Sequence, residues 1–145
     1  SALEEGKADI LGLYMVQQLN QQGELAGQDI RSNYVSFLAS LFRSTRFGGA
    51  DAHGRANIAA FNFLQQQGAF TRDSASGKYR VDFAKFQSGM NALTEKILTL
   101  QGNGDYEGVG AFQEQYGTIS PELQRDLDRL KSKGIPVDVV FEQGR

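Results

Sequence analysis

Three carboxylates fall within six residues near the start of the chain, Glu4, Glu5 and Asp9, and the apolar run Ile10-Leu11-Gly12-Leu13-Tyr14 follows directly. On a helix Glu5 and Asp9 share a face, and Glu4 sits about 100° round from Glu5. Like charges at that spacing repel, so solvent, the helix dipole or a cation must offset the cost. Acids near a helix start are favoured by the dipole with no site at all. A cation would instead make the cluster part of a ligand set. Spacing alone reads as a dipole-stabilised helix start and does not earn a metal.

His53, the chain's single histidine, lies in the second stretch with chemistry, Phe47-Gly48-Gly49-Ala50-Asp51-Ala52-His53-Gly54-Arg55-Ala56-Asn57. The paired glycines break the chain, Asp51 is a good N-cap, and His53 falls in the first turn of the helix that follows. A lone histidine there reads as a surface or capping group. The same helix end also disfavours imidazolium, leaving a neutral ring that can donate to a carbonyl oxygen or an oxyanion. Arg43 and Arg46 close the preceding helix, where the dipole favours cations; they could also meet a ligand carboxylate.

The acidic stretch, Glu-Glu-x-x-Ala-Asp followed by Ile-Leu-Gly-Leu-Tyr, resembles the second zinc motif, EExxA[ED], of the dipeptidyl peptidase III family of metallopeptidases. That resemblance implies that Glu5 is a zinc ligand and that Glu4 and Asp9 orient the histidine ligands. It also implies that the two histidines and the catalytic glutamate come from an HExxGH helix earlier in the polypeptide, which this sequence lacks. Ala52-His53 matches the family's Ala-His context, so the resemblance makes His53 a catalytic group that contacts the substrate carbonyl beside the zinc. Four residues on, a substrate-binding position that is arginine in better-known members is Asn57. Arg55 lies two residues early and need not replace it, so strict dipeptidyl release is not implied. Gly104-Asp105-Tyr106-Glu107-Gly108 through Phe112 and Tyr116-Gly117 also resembles the family's C-terminal region. Some relatives join a Nudix (MutT-like) hydrolase domain to a peptidase-like region, and the Ala-Asp form of the motif points to that branch. No Nudix box is present in these residues.

The elements that must carry these groups are mostly helical. Leu3, Ile10, Leu11, Tyr14, Met15 and Leu19 predict a first helix over Leu3 to Gln22, with Gly23 as its stop and Gln17, Gln18, Gln21 and Gln22 as a solvated end. Ile30, Tyr34, Phe37, Leu38 and Leu41 predict a second over Glu24 to Arg43. The third runs to Gln67 with Gly68 as C-cap. Phe70-Thr71-Arg72 and Lys78-Tyr79-Arg80-Val81 read as a hairpin without chemistry. Asp82 caps a fourth helix to Leu100, Asp105 a fifth over Tyr106 to Tyr116, and Ser120-Pro121-Glu122 opens a sixth ended by Gly134. Pro136 to Phe141 is expected to be an extended tail pairing outside these residues. The reading is all-α: an irregular bundle of about six helices with a short hairpin and an extended C-terminal tail, residues 1–145 forming one helical domain of a larger catalytic unit.

Composition narrows the partners. Net charge is -2 with both signs dispersed, which gives no electrostatic footprint for nucleic acid or an anionic membrane. The chain has no cysteine, which excludes thiol catalysis and disulfides and fits a cytoplasmic setting. No apolar run is long enough to span a bilayer. The expected function is that of the C-terminal part of a zinc-dependent peptidase, cut just before its second zinc motif and inactive alone, with Ser1 and Ala2 a cloning remnant. Its partners are then the upstream polypeptide carrying HExxGH and a peptide substrate. The alternative is a non-catalytic helical interaction module of a Nudix-type multidomain protein. With at most one histidine available, the isolated chain is expected to retain no stoichiometric zinc after dialysis, as elemental analysis would show.

Overall fold

Apolar side chains three and four apart build the helices, and the computed structural model describes residues 10–15, 17–18, 30–45, 52–133 and 139–141. Helical residues 10–15 and 17–18 form α1. Then come α2 (Ile30–Thr45), α3 (Ala52–Gln66), β1 (Phe70–Arg72), β2 (Tyr79–Val81), α4 (Phe83–Gly102), α5 (Tyr106–Tyr116), α6 (Pro121–Lys133) and β3 (Val139–Phe141). The expected all-α architecture is present. The expected stops and caps at Gly23, Asp51 and Gly134 lie outside the described residues.

Helix ends follow the local chemistry. The Asp82 carboxylate accepts the Lys85 N–H at 3.0 Å to start α4, and the Ser120 hydroxyl accepts the Leu123 N–H at 3.1 Å to start α6. After α3, Gly68 takes φ +79°, and the N–H groups of Gly68 and Ala69 reach back to Gln65 O and Leu64 O, both at 3.0 Å. Gly104, at φ +60°, closes α4 in the same way, the Asp105 N–H bonding Leu100 O at 3.0 Å. These are Schellman closures, which need a residue at ease with positive φ. Asp105 then turns its carboxylate to the Gly108 N–H at 2.7 Å, so one residue ends α4 and caps α5.

The core is shared by all these helices. Phe61 of α3 packs its ring against Phe42 of α2 at 5.0 Å and Phe70 of β1 at 4.7 Å between centroids, while Leu38, Leu64, Phe86, Met90 and Leu93 are fully buried around them. In α1 the buried stripe is Ile10, Leu13 and Gln17, whereas Met15, expected inside, is 63% exposed. The sequence offered two apolar stripes about 100° apart, and the one through Leu13 won. Gln17 is therefore no part of a solvated end.

Strands β1 and β2 pair antiparallel with Phe70 opposite Val81 and Arg72 opposite Tyr79. The tail does not wait for an outside partner: β3 joins β2 in parallel, with Tyr79 opposite Val139 and Val81 opposite Phe141. A two-stranded hairpin leaves an edge of unpaired N–H and C=O groups, and the chain's own tail takes it.

A buried ion pair ties α6 to the hairpin. Asp126, 2% exposed, receives Arg72 Nε at 2.8 Å and Arg72 Nη2 at 3.0 Å, and the Tyr79 hydroxyl donates to it as well. Burial raises the Asp126 pKa, but the bonds from Arg72 and Tyr79 outweigh it and hold the carboxyl below its ordinary range. A depressed folded pKa adds stability above the unfolded value near ~3.9, and that stability is lost as pH falls through the folded pKa. Asp126→Asn leaves the part-buried Arg72 guanidinium without its counter-charge. It is expected to cost about 3 kcal/mol at pH 7 and to flatten the acid side of the stability curve, measured by urea unfolding from neutral to acid pH.

Candidate functional site

The position of α1 decides which residues can meet, and a polar network sets it. Gln17 Nε2 donates to Asn91 Oδ1 of α4 at 2.7 Å, and the Tyr34 hydroxyl of α2 donates to Gln17 Oε1. Burial pushes the Tyr34 pKa up to about 12, so it stays a donor at neutral pH. Tyr34 also stacks on Phe86 of α4, 4.5 Å between centroids. One end of α1 is thus fixed across α2 and α4.

At the other end, Ile10 lines a small cavity with Ala56, Ala59 and Ala60 of α3, Leu93 and Ile97 of α4, and Phe112 and Gln113 of α5. Two sequence landmarks converge here: Ile10 directly follows Asp9 of the acidic motif, and Ala56 lies three residues after His53. Glu4, Glu5 and Asp9 lie outside the described residues, as does the His53 side chain; the His53 backbone is in the first turn of α3. Among the described residues no group of three His, Cys, Asp or Glu side chains could hold a metal ion. No helix among them is long and apolar enough to cross a membrane.

Asn57 is 5% exposed, and its Nδ2 has no hydrogen-bond partner among the described residues. Arg55 is exposed; two residues away is about 200° round the helix, so it does not take over the Asn57 position. The side chain of Arg43, and all of Arg46, lie outside the described residues.

The sequence reading missed two groups of supporting residues. Asn62 Nδ2 on α3 donates to Tyr116 O at 2.6 Å and Thr118 O at 2.8 Å, holding the end of α5 against α3. Asp126, Arg72 and Tyr79 give the hairpin a charged anchor that periodicity does not reveal. A polar residue inside an apolar period, as Asn62 is between Phe61 and Phe63, was the only signal available for the first.

Comparison with known proteins fits this arrangement. The chain is similar to the structure of DPP III from Caldithrix abyssi, with a TM-score of 0.84 at 35% identity over 97% of this chain and 26% of that one. The structure of dipeptidyl-peptidase III from Corallococcus sp. strain EGB matches with a TM-score of 0.83, also at 35% identity and with the same shares. Nudix hydrolase 3 of Arabidopsis thaliana is 42% identical over 139 residues, 96% of this chain and 18% of that protein. No family model matches. The chain spans about a quarter of the solved relatives and less than a fifth of the plant protein. The resemblance carried by the acidic motif and the Ala-His pair therefore extends through almost all of the chain, in backbone and in sequence: it is similar to one segment of dipeptidyl peptidase III.

Proposed function

We propose that this chain is the C-terminal part of the catalytic unit of a zinc-dependent, dipeptidyl peptidase III-like peptidase that works in the cytoplasm. The observation that carries the reading is the similarity to the two solved enzymes over 97% of the chain at 35% identity. The cavity shared by Ile10 and Ala56 supports it, since it brings the helix that follows the acidic motif beside the helix that bears His53.

The donor set fits a share of the site and no more. Glu5 would hold the metal, and Glu4 and Asp9 would accept N–H groups from the two histidines that an upstream HExxGH would supply. Bound zinc supplies Lewis acidity to the scissile carbonyl and to water. His53 would donate to the carbonyl oxygen as negative charge develops there. Asn57 meets the substrate one turn further along α3.

The isolated chain is expected to hydrolyse no dipeptidyl substrate, with zinc or without; turnover by the pure chain contradicts this division of labour. In the full-length protein Glu5→Ala should abolish stoichiometric zinc by elemental analysis, and retained zinc removes Glu5 from the site. His53→Ala should lower kcat about a hundredfold with zinc content unchanged.

The match to Nudix hydrolase 3 favours a second reading, a non-catalytic helical module of a Nudix-type multidomain protein. The full-length polypeptide discriminates: an HExxGH upstream of Glu4 supports the peptidase, and its absence supports the module.

A further inference from the structure

Of the asparagines in the chain, Asn103 alone is followed by glycine. Asparagine is a thermolabile side chain, because the backbone nitrogen of the next residue can attack its carboxamide carbon and close a five-membered ring. A following side chain obstructs that approach, and glycine has none. Asn33, Asn57, Asn62 and Asn91 precede Tyr34, Ile58, Phe63 and Ala92 inside helices, where the i to i−4 ladder holds each backbone nitrogen. Asn103 instead is the exposed C-cap of α4, and nothing lies within 4 Å of where a Cβ on Gly104 would stand. The reacting nitrogen is restrained by the bond from the Gly104 N–H to Gln101 O at 3.1 Å. Bonds at a helix end open far more readily than those of its interior.

We propose that Asn103 is a self-modifying site, converted to isoaspartate with water as the only co-reactant, and that this covalent change keeps the turn between α4 and α5 from closing again. With the turn open, the Gly104 nitrogen gives its proton to solvent and bonds to Asn103 Cγ; the Cγ–Nδ2 bond breaks, and the leaving nitrogen takes a proton from solvent and departs as ammonia. Water then opens the ring. Cleavage between nitrogen and Cγ gives aspartate. Cleavage between nitrogen and the main-chain carbonyl carbon reroutes the chain through Cβ and Cγ, which is isoaspartate, with one more carbon in the backbone. Nothing is oxidised or reduced. Either product places a carboxylate at the negative end of the α4 dipole, two residues from Asp105. Isoaspartate also lengthens the stretch spanned by two closures, the Asp105 N–H on Leu100 O at 3.0 Å and the Gly108 N–H on the Asp105 carboxylate at 2.7 Å. The change reaches the core, because α5 carries Phe112 and Tyr116 against Phe63.

The test ages the full-length protein in warm buffer at mildly alkaline and mildly acidic pH. Trypsin then releases Ile97 to Arg125, a peptide in which Asn103 is the only asparagine. Methylation by an isoaspartyl methyltransferase, located by fragmentation, should mark Asn103 before any other asparagine of the chain, and sooner at alkaline pH, where the attacking nitrogen loses its proton more readily. In the modified molecules hydrogen exchange at the Asp105 and Gly108 amides should speed up about tenfold, the effect of one lost hydrogen bond. Asn103→Gln, whose longer side chain would need a six-membered ring, should keep both amides protected through the same treatment, with Asn103→Ser in its place should the glutamine variant not fold. Isoaspartate that is absent at Asn103, or appears there after other asparagines, overturns the proposal. So does unchanged exchange at Asp105 and Gly108 in modified molecules, or an equal loss of protection in the variant.

Discussion

A glutamine with 1% of its surface exposed fixes the geometry on which everything else rests. Gln17 lies between Tyr34 and Asn91, and each of its neighbours belongs to a different helix. An amide buried this deeply costs several kcal/mol unless both its ends are met, so only one docking of α1 satisfies it. Slide or rotate α1 and the bonds break together. The apolar contacts of Ile10 and Leu13 are less selective, because hydrophobic attraction is non-directional. The network therefore supplies the register, and the apolar stripe supplies the attraction.

The small residues of α3 complete this arrangement from the other side. Ala56, Ala59 and Ala60 present only methyl groups to the cavity they share with Ile10, where larger side chains would fill it. The polar pins at Gln17 and the alanine-lined cavity at Ile10 lie about two turns apart on α1. Together they place Ile10 and Ala56, far apart in sequence, on one cavity.

Much of this was legible in the residues. The caps at Asp82, Asp105 and Ser120 were read from short polar side chains ahead of apolar periods, and the closure at Gly68 from a glycine after one; all four hold in the structure. The hairpin was legible because its turn residues and β-branched flanks stand out. Three features were not. The buried face of α1 was ambiguous because apolar residues lie on both Leu11-Tyr14-Met15 and Ile10-Leu13, and only the packing partner chooses. The pairing of β3 with β2 is a contact between segments almost sixty residues apart, which local pattern cannot register. The Asp126 pair was hidden because a single acid on a charged helix looks like any solvated one. The candidate site rests on motif identity, since Glu5 and Asp9 at helical spacing are equally at home on a plain helix end.

The double use of Asp105 has a mechanical consequence. Its N–H closes α4 and its carboxylate opens α5, so no spare residue lies between the two helices. Such a joint has no slack. One residue inserted there would turn α5 by about 100°, carrying Phe112 and Tyr116 away from Phe63 and taking one wall from the cavity that α1 and α3 share. Length variation in this protein should therefore be tolerated in the hairpin turn at 73–77 and refused at the elbow between α4 and α5.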